Sequence, residues 1–160
     1  MNLVEVFNRT RVSVDEEAVA RLVARVLEAE GVDNAESSVE LVGERRIRAL
    51  NAEHRGKDQV TDVLSFPLED AREGAGPAAA GGPAGPPRLL GDVVVCARQT
   101  LRQARADSLP PALELAVLLV HGTLHLLGYD HETDAGQMAL RQAELLELVD
   151  WEALVVATPR

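Results

Sequence analysis

A chain of 160 residues with 46% apolar side chains is long enough to bury one hydrophobic core, which excludes a disordered polymer. The formal net charge is −10 and aromatics are 2%, which argues against a general polyphosphate binder or a base-stacking platform. The single cysteine, Cys96, excludes an intrachain disulfide and a cysteine-built zinc site.

In chain order, residues 2–7 alternate weakly and predict a short strand. Their lack of a basic segment followed by an apolar run argues against a signal peptide. Ser13 or Asp15 can cap a helix to about Glu30, with Ala18, Leu22, Val23, Val26 and Leu27 as its apolar stripe and Gly31 at its stop. Val39–Val42 reads as a strand, Glu44 to about Glu53 as a helix, and Thr61–Phe66 as a strand ended by Pro67. Residues 71–88 are rich in Ala, Gly and Pro, and the 68–90 span is expected to be a flexible surface loop. Because strands flank it, it is no linker, and 1–160 reads as one domain.

Leu89–Cys96 predicts a strand buried on both faces through Val93-Val94-Val95. Helices follow over about Ala97–Ala106, from Pro110-Pro111 to Leu127, and from an Asp134/Gln137 cap to about Trp151. The longest apolar run, Leu115–Val120, falls far short of the ~20 residues a membrane helix needs. The expected architecture is α/β (α+β), an α/β sandwich of about four strands and five helices in the cytoplasm.

His121, His125 and His131 follow the spacing H-x3-H-x5-H, with Gly128 between the last two. Residues four apart share one helix face, so His121 and His125 can address a single ion. Gly128 can end the helix in the left-handed conformation, and His131 then returns as a third ligand. Three imidazoles leave a tetrahedral zinc one open position, the catalytic pattern. The alternative is an inert buried histidine cluster, in which each imidazole still needs a partner.

The spacing matches the metzincin peptidase motif at all but one position. The glutamate that serves those enzymes as general base is Gly122 here, which cannot take a proton from bound water. A second cluster, Arg45, Arg46, Arg48, Arg55 and Lys57, provides local positive charge. The first three read as a solvated helix face, whereas Arg55 and Lys57 fall at a turn beyond it.

The run His121-Gly-x-Leu-His125-Leu-x-Gly128-Tyr-Asp-His131 resembles the signature of the YbeY family of bacterial endoribonucleases. Two further blocks agree: Leu50-Asn51 through Arg55, Lys57-Asp58 and Thr61-Asp62-Val63-Leu64-Ser65-Phe66-Pro67, then Leu90-Gly91-Asp92. His54 stands where that family usually has an aromatic, Val60 where it often has proline, and the 68–90 loop is longer than usual.

The resemblance implies a zincin-like core with the histidine helix on a small mixed four-stranded sheet. It implies a metal-dependent, single-strand-specific endoribonuclease acting in 16S rRNA 3′-end maturation and ribosome quality control. His121, His125 and His131 are then the ligands of one divalent ion, with Zn2+ the first choice, and Arg55 is required for activity. The partner is single-stranded or ribosomal RNA on the small ribosomal subunit, with no DNA and no membrane.

A planar, permanently charged guanidinium suits phosphate, and one such donor is worth about 2.7–4 kcal/mol at a transition state. Arg55 is expected to grip phosphate, with an ion pair to Asp58 or Asp62 as the alternative. Lys57 is either a further substrate contact or a solvated lysine, and Asp130 either orients a ligand histidine or stabilises a turn. Asp62 and Ser65 read as packing or turn residues, and His54 carries no assignment. Two other functions stay open: a zincin-like metallohydrolase of an amide or peptide, and a non-catalytic ribosome-associated metal-binding module.

Overall fold

Val93, Val94 and Val95 are each at most 3% exposed, and they form the middle of a sheet covered on both faces. The computed structural model describes residues 1–68 and 85–158. Its strands are β1 (Leu3–Asn8), β2 (Ala35–Val42), β3 (Val63–Pro67) and β4 (Arg88–Cys96). Its helices are α1 (Glu16–Ala29), α2 (Glu44–Arg55), α3 (Ala97–Ala106), α4 (Pro111–Leu126) and α5 (Gln137–Leu148), followed by a 3-10 turn at Glu152–Leu154. The order across the sheet is β1-β2-β4-β3. β1, β2 and β4 run parallel, and β3 closes one edge antiparallel to β4.

Among the described residues this is the α/β sandwich of four strands and five helices that the pattern predicts, built on the mixed sheet that the resemblance implies. Boundaries differ where local signals compete. Asp15 rather than Ser13 caps α1, accepting from the Ala18 N–H over 3.0 Å, because Ser13 is drawn into a backbone bridge with Ala157. β2 starts four residues earlier than its apolar run, because polar Glu36, Ser37 and Ser38 still pair with β1. The expected 68–90 loop is shorter at its far end: β4 begins at Arg88, whose N–H donates to the Asn34 carbonyl over 2.9 Å. Residues 69–84 of that loop lie outside the described residues.

The pleat splits the core in two. Val93 and Val95 of β4 and Val39 and Leu41 of β2 pack under α1 and α4, in the main cluster. Val94, Cys96 and Leu64 face the other way, against Ile47 and Leu50 of α2. α2 and α4 therefore lie on opposite faces of the sheet. No single helix among the described residues is long and apolar enough to cross a membrane, and α3 and α4 meet at 119°. α4 is apolar on nearly every side because it is buried on nearly every side.

Gly91 shapes the sheet beside β3. Its φ is +119°, and a Cβ there would stand 2.1 Å from the Phe66 carbonyl oxygen, so only glycine fits. The register of β2 against β4 shifts between Glu36 and Ser37, opposite this point.

Candidate metal centre

α4 begins with Pro111 in its first turn and ends at Leu126, after which Gly128 adopts φ +97°. The left-handed residue turns the chain, and His131 comes back over the helix end. The three rings converge, with centroids 4.7 Å apart for His121 and His125, 5.3 Å for His121 and His131, and 5.2 Å for His125 and His131. One nitrogen from each lies within 4.8 Å of the others, the only such group of His, Cys, Asp or Glu among the described residues. His121 and His125 are half-buried and His131 is exposed, so the cluster opens to solvent on the His131 side.

The hydrogen bonds set which nitrogens face inward. His125 Nδ1 lies 3.0 Å from the Tyr129 carbonyl, which can only accept, so Nδ1 carries the proton. His121 Nδ1 lies 3.0 Å from Gln142 Oε1 and donates likewise. Both Nε2 lone pairs then face each other across 3.1 Å. Two bare lone pairs at that distance repel unless a proton or a cation stands between them. Burial, then the charges of His121 and His131, hold His125 below the ordinary imidazole range, which disfavours the proton. Ligands bound tetrahedrally at ~2.0–2.1 Å stand about 3.3–3.4 Å apart, so this arrangement fits a divalent ion.

Asp130 is expected either to orient a ligand histidine or to stabilise a turn, and its surroundings are those of the second alternative. Its carboxylate accepts from the Glu132 N–H over 3.0 Å, the turn-stabilising alternative, and the orienting acceptors are Gln142 and the Tyr129 carbonyl. Gln142 is the residue sequence reasoning missed. A signal existed: it lies on the stripe Met138–Gln142–Leu145, whose other two members are fully buried, and a polar group there needs a partner.

Both acceptors share an anchor. The Tyr129 hydroxyl donates to Glu30 over 2.9 Å, and Arg141, next to Gln142, pairs with the same carboxylate and donates to the Ala29 carbonyl over 3.1 Å. Burial together with Glu30 pushes the Tyr129 phenol up, while Glu30 raises the Arg141 guanidinium. Asp134 accepts from the N–H groups of Gly136 and Met138, which lowers its carboxyl, while the N-cap position of α5 expected at Asp134 is taken by Gly136.

Gly122, between the first two histidines, faces the sheet. A Cβ there would come 2.6 Å from Val93 Cγ1, 3.2 Å from Ser65 Oγ and 3.3 Å from Val63 Cγ2. A glutamate has no room at this position.

Arg55 closes α2 and is exposed, with no ion pair or hydrogen bond among the described residues. The alternative partner Asp58 belongs to Arg48, bound in a fork at 2.8 and 3.2 Å. Asp62 instead accepts from the Val63 N–H and from Gln103. Arg55 is not part of the imidazole cluster, yet edge strand β3 connects the two. The Ser65 hydroxyl donates to the Gly122 carbonyl over 2.9 Å on one face. On the other face Phe66 meets the His54 ring edge-on at 4.9 Å. The Arg55 end of α2 and the histidine-bearing helix α4 therefore meet adjacent residues of β3, Phe66 and Ser65, from opposite faces of the strand. Lys57, two residues on, is exposed and likewise unpaired.

Comparison with known proteins identifies the relatives of this chain. The family described as Endoribonuclease YbeY matches residues 5–150. The Endoribonuclease YbeY of Bacillus subtilis (strain 168) is 43% identical over 151 residues, covering 91% of this chain and 94% of that protein. Its counterpart in Anaeromyxobacter sp. (strain Fw109-5) is 51% identical over 124 residues, covering 76% of this chain. The chain spans only 58% of that relative's length. A solution structure from Thermotoga maritima is 26% identical, with a TM-score of 0.59 over 91% of this chain and 87% of that one. With its sheet order, its histidine turn and a family match across most of its length, the chain belongs to the Endoribonuclease YbeY family.

Proposed function

We propose that this chain is a metal-dependent, single-strand-specific endoribonuclease acting on ribosomal RNA, in 16S 3′-end maturation and ribosome quality control. The observation that carries the reading is the pair of Nε2 atoms facing each other at 3.1 Å with a third imidazole beside them. His121, His125 and His131 hold one divalent ion, Zn2+ in the first instance, leaving a position open towards solvent. When bound, that ion supplies positive charge to phosphoryl oxygens and acidifies a coordinated water.

The chain's own residues do the rest. Gln142 and the Tyr129 carbonyl keep the His121 and His125 lone pairs aimed at one point. Arg55, unpaired and fixed in charge, grips the scissile phosphate as negative charge builds on its oxygens. Lys57 adds a phosphate contact, and Asp130 contributes negative charge beside His125. The chain works as one domain in the cytoplasm, on the small ribosomal subunit. Peptide hydrolysis is disfavoured because Val93 and Ser65 fill the space a general-base glutamate would need.

The test compares metal-loaded protein and its His121→Ala variant on single-stranded RNA, duplex RNA and casein. Cleavage of single-stranded RNA alone, lost in the variant, is the expected result. Cleavage of casein, or RNA cleavage that survives the substitution, overturns the proposal.

A further inference from the structure

Half of the chain's 16 Lys and Arg residues lie in two short stretches. Arg45, Arg46, Arg48, Arg55 and Lys57 belong to α2 and the turn after it. Arg98, Arg102 and Arg105 recur at i, i+4 and i+7 and so line one stripe of α3. All eight side chains are exposed. The two helices are joined by Glu44, whose single carboxylate pairs with both Arg98 and Arg102. Their local acids are few: Glu44, Glu53, Asp58 and Asp107.

Most of this charge is unspent. Arg45, Arg46, Arg55, Lys57 and Arg105 have no ion pair among the described residues. Elsewhere on the surface Arg9, Arg21, Arg25 and Arg141 each have an acidic partner, and Arg11 alone of these outlying surface arginines has no ion pair among the described residues. Between α2 and its following loop lies a cleft of about 330 Å³ lined by Glu44, Arg45, Arg48, Ala49, Asp58 and Val60. A protein of net charge −10 repels a polyanion from most directions, so a docked one must follow the basic strip.

We propose that this α2–α3 arginine ridge is an RNA-backbone track, a binding site for substrate phosphates outside the metal centre. It runs from Arg55, beside β3, along α2 for roughly 15 Å at 1.5 Å per residue, and crosses at Glu44 to α3. Arginine without base-stacking aromatics binds phosphate rather than sequence, so the track holds RNA of any sequence. It lengthens the footprint, and its contribution grows with RNA length. The inference rests on the endoribonuclease reading above.

The experiment measures kcat/KM against salt for single-stranded RNAs of about 4 and about 16 nucleotides, a span of common single-strand site sizes. The variants are Arg98→Gln/Arg102→Gln/Arg105→Gln, and Arg45→Gln/Arg46→Gln, which leaves the Glu44 pairs intact. Arg21→Gln/Arg25→Gln on α1 controls for total charge. For three lost phosphate contacts, the long RNA should lose roughly 20-fold less kcat/KM between 50 and 200 mM salt than with the unaltered protein. The ratio of long to short RNA should fall in both ridge variants and hold in the control. A salt dependence and length ratio equal to those of the unaltered protein in both ridge variants overturn the track and leave the ridge to an acidic protein partner. No cleavage by the unaltered protein would instead overturn the endoribonuclease reading.

Discussion

Val93 Cγ1 lies 2.6 Å from where a Cβ on Gly122 would stand, so α4 rests on β4 through a bare turn of backbone. Helix propensity alone says that alanine at 122 should gain about 1 kcal/mol over glycine. The packing reverses that sign. Gly122→Ala should cost roughly 1–3 kcal/mol in urea denaturation, as overpacking does. Adding Val93→Ala should recover part of the loss, and simple additivity of the two substitutions would refute the contact.

Gln142 reaches the centre only through His121 Nδ1, at 3.0 Å. Gln142→Leu keeps the side chain's bulk and removes the acceptor, freeing the ring to rotate. Metal affinity should fall about 10–100-fold in a competition titration, the usual cost of losing such a partner. Unchanged affinity would mean that the ring is held by packing alone.

Arg55→Ala should leave bound metal unaltered while lowering kcat on single-stranded RNA by about 10²–10³-fold. Arg55→Lys keeps the charge but not the planar fork, and should recover only a fraction. Metal analysis beside the kinetics separates a phosphate-gripping role from a structural one.

Glu114 is 7% exposed on α4, and its carboxylate accepts from Gln103 Nε2 over 2.9 Å. Burial pushes its carboxyl above the ordinary 4.5, with Asp107 and Asp62 adding to the rise and Gln103 opposing it. A folded value above the unfolded one favours the folded chain in acid. That contribution is complete below about pH 4.5 and is lost as pH rises through the folded value. As pH rises, the buried carboxyl therefore becomes a liability. Glu114→Gln retains an acceptor for Gln103, so it should unfold at higher urea at pH 7, with the advantage closing by about pH 4. An equal gain at both values would contradict this origin.

The fold was legible because its strongest signals are local and periodic. The Val93–Val95 run, the α1 stripe from Ala18 to Leu27 and the double proline that opens α4 each specify one element with little competition. The histidine spacing was legible because a helix turn and one left-handed glycine suffice to close it. What could not be read depends on neighbours distant in sequence. Gln142 meets His121 only once α5 packs on α4, and the tight seat of Gly122 needs β3 and β4 beneath it. Asp130 carried two readings because a short carboxylate can satisfy its own turn, as it does with the Glu132 N–H, as well as reach across to a ring. Two of the basic residues read as a solvated face, Arg45 and Arg46, stay exposed, and only the fold sets α3 beside them.

X-ray absorption at the metal edge of the loaded protein tests the centre most directly. Three imidazole nitrogens and one light water or hydroxide ligand at about 2.0–2.1 Å are expected, falling to two imidazoles in His131→Ala. A closed shell of four protein ligands, or a spectrum untouched by His131→Ala, would contradict the account.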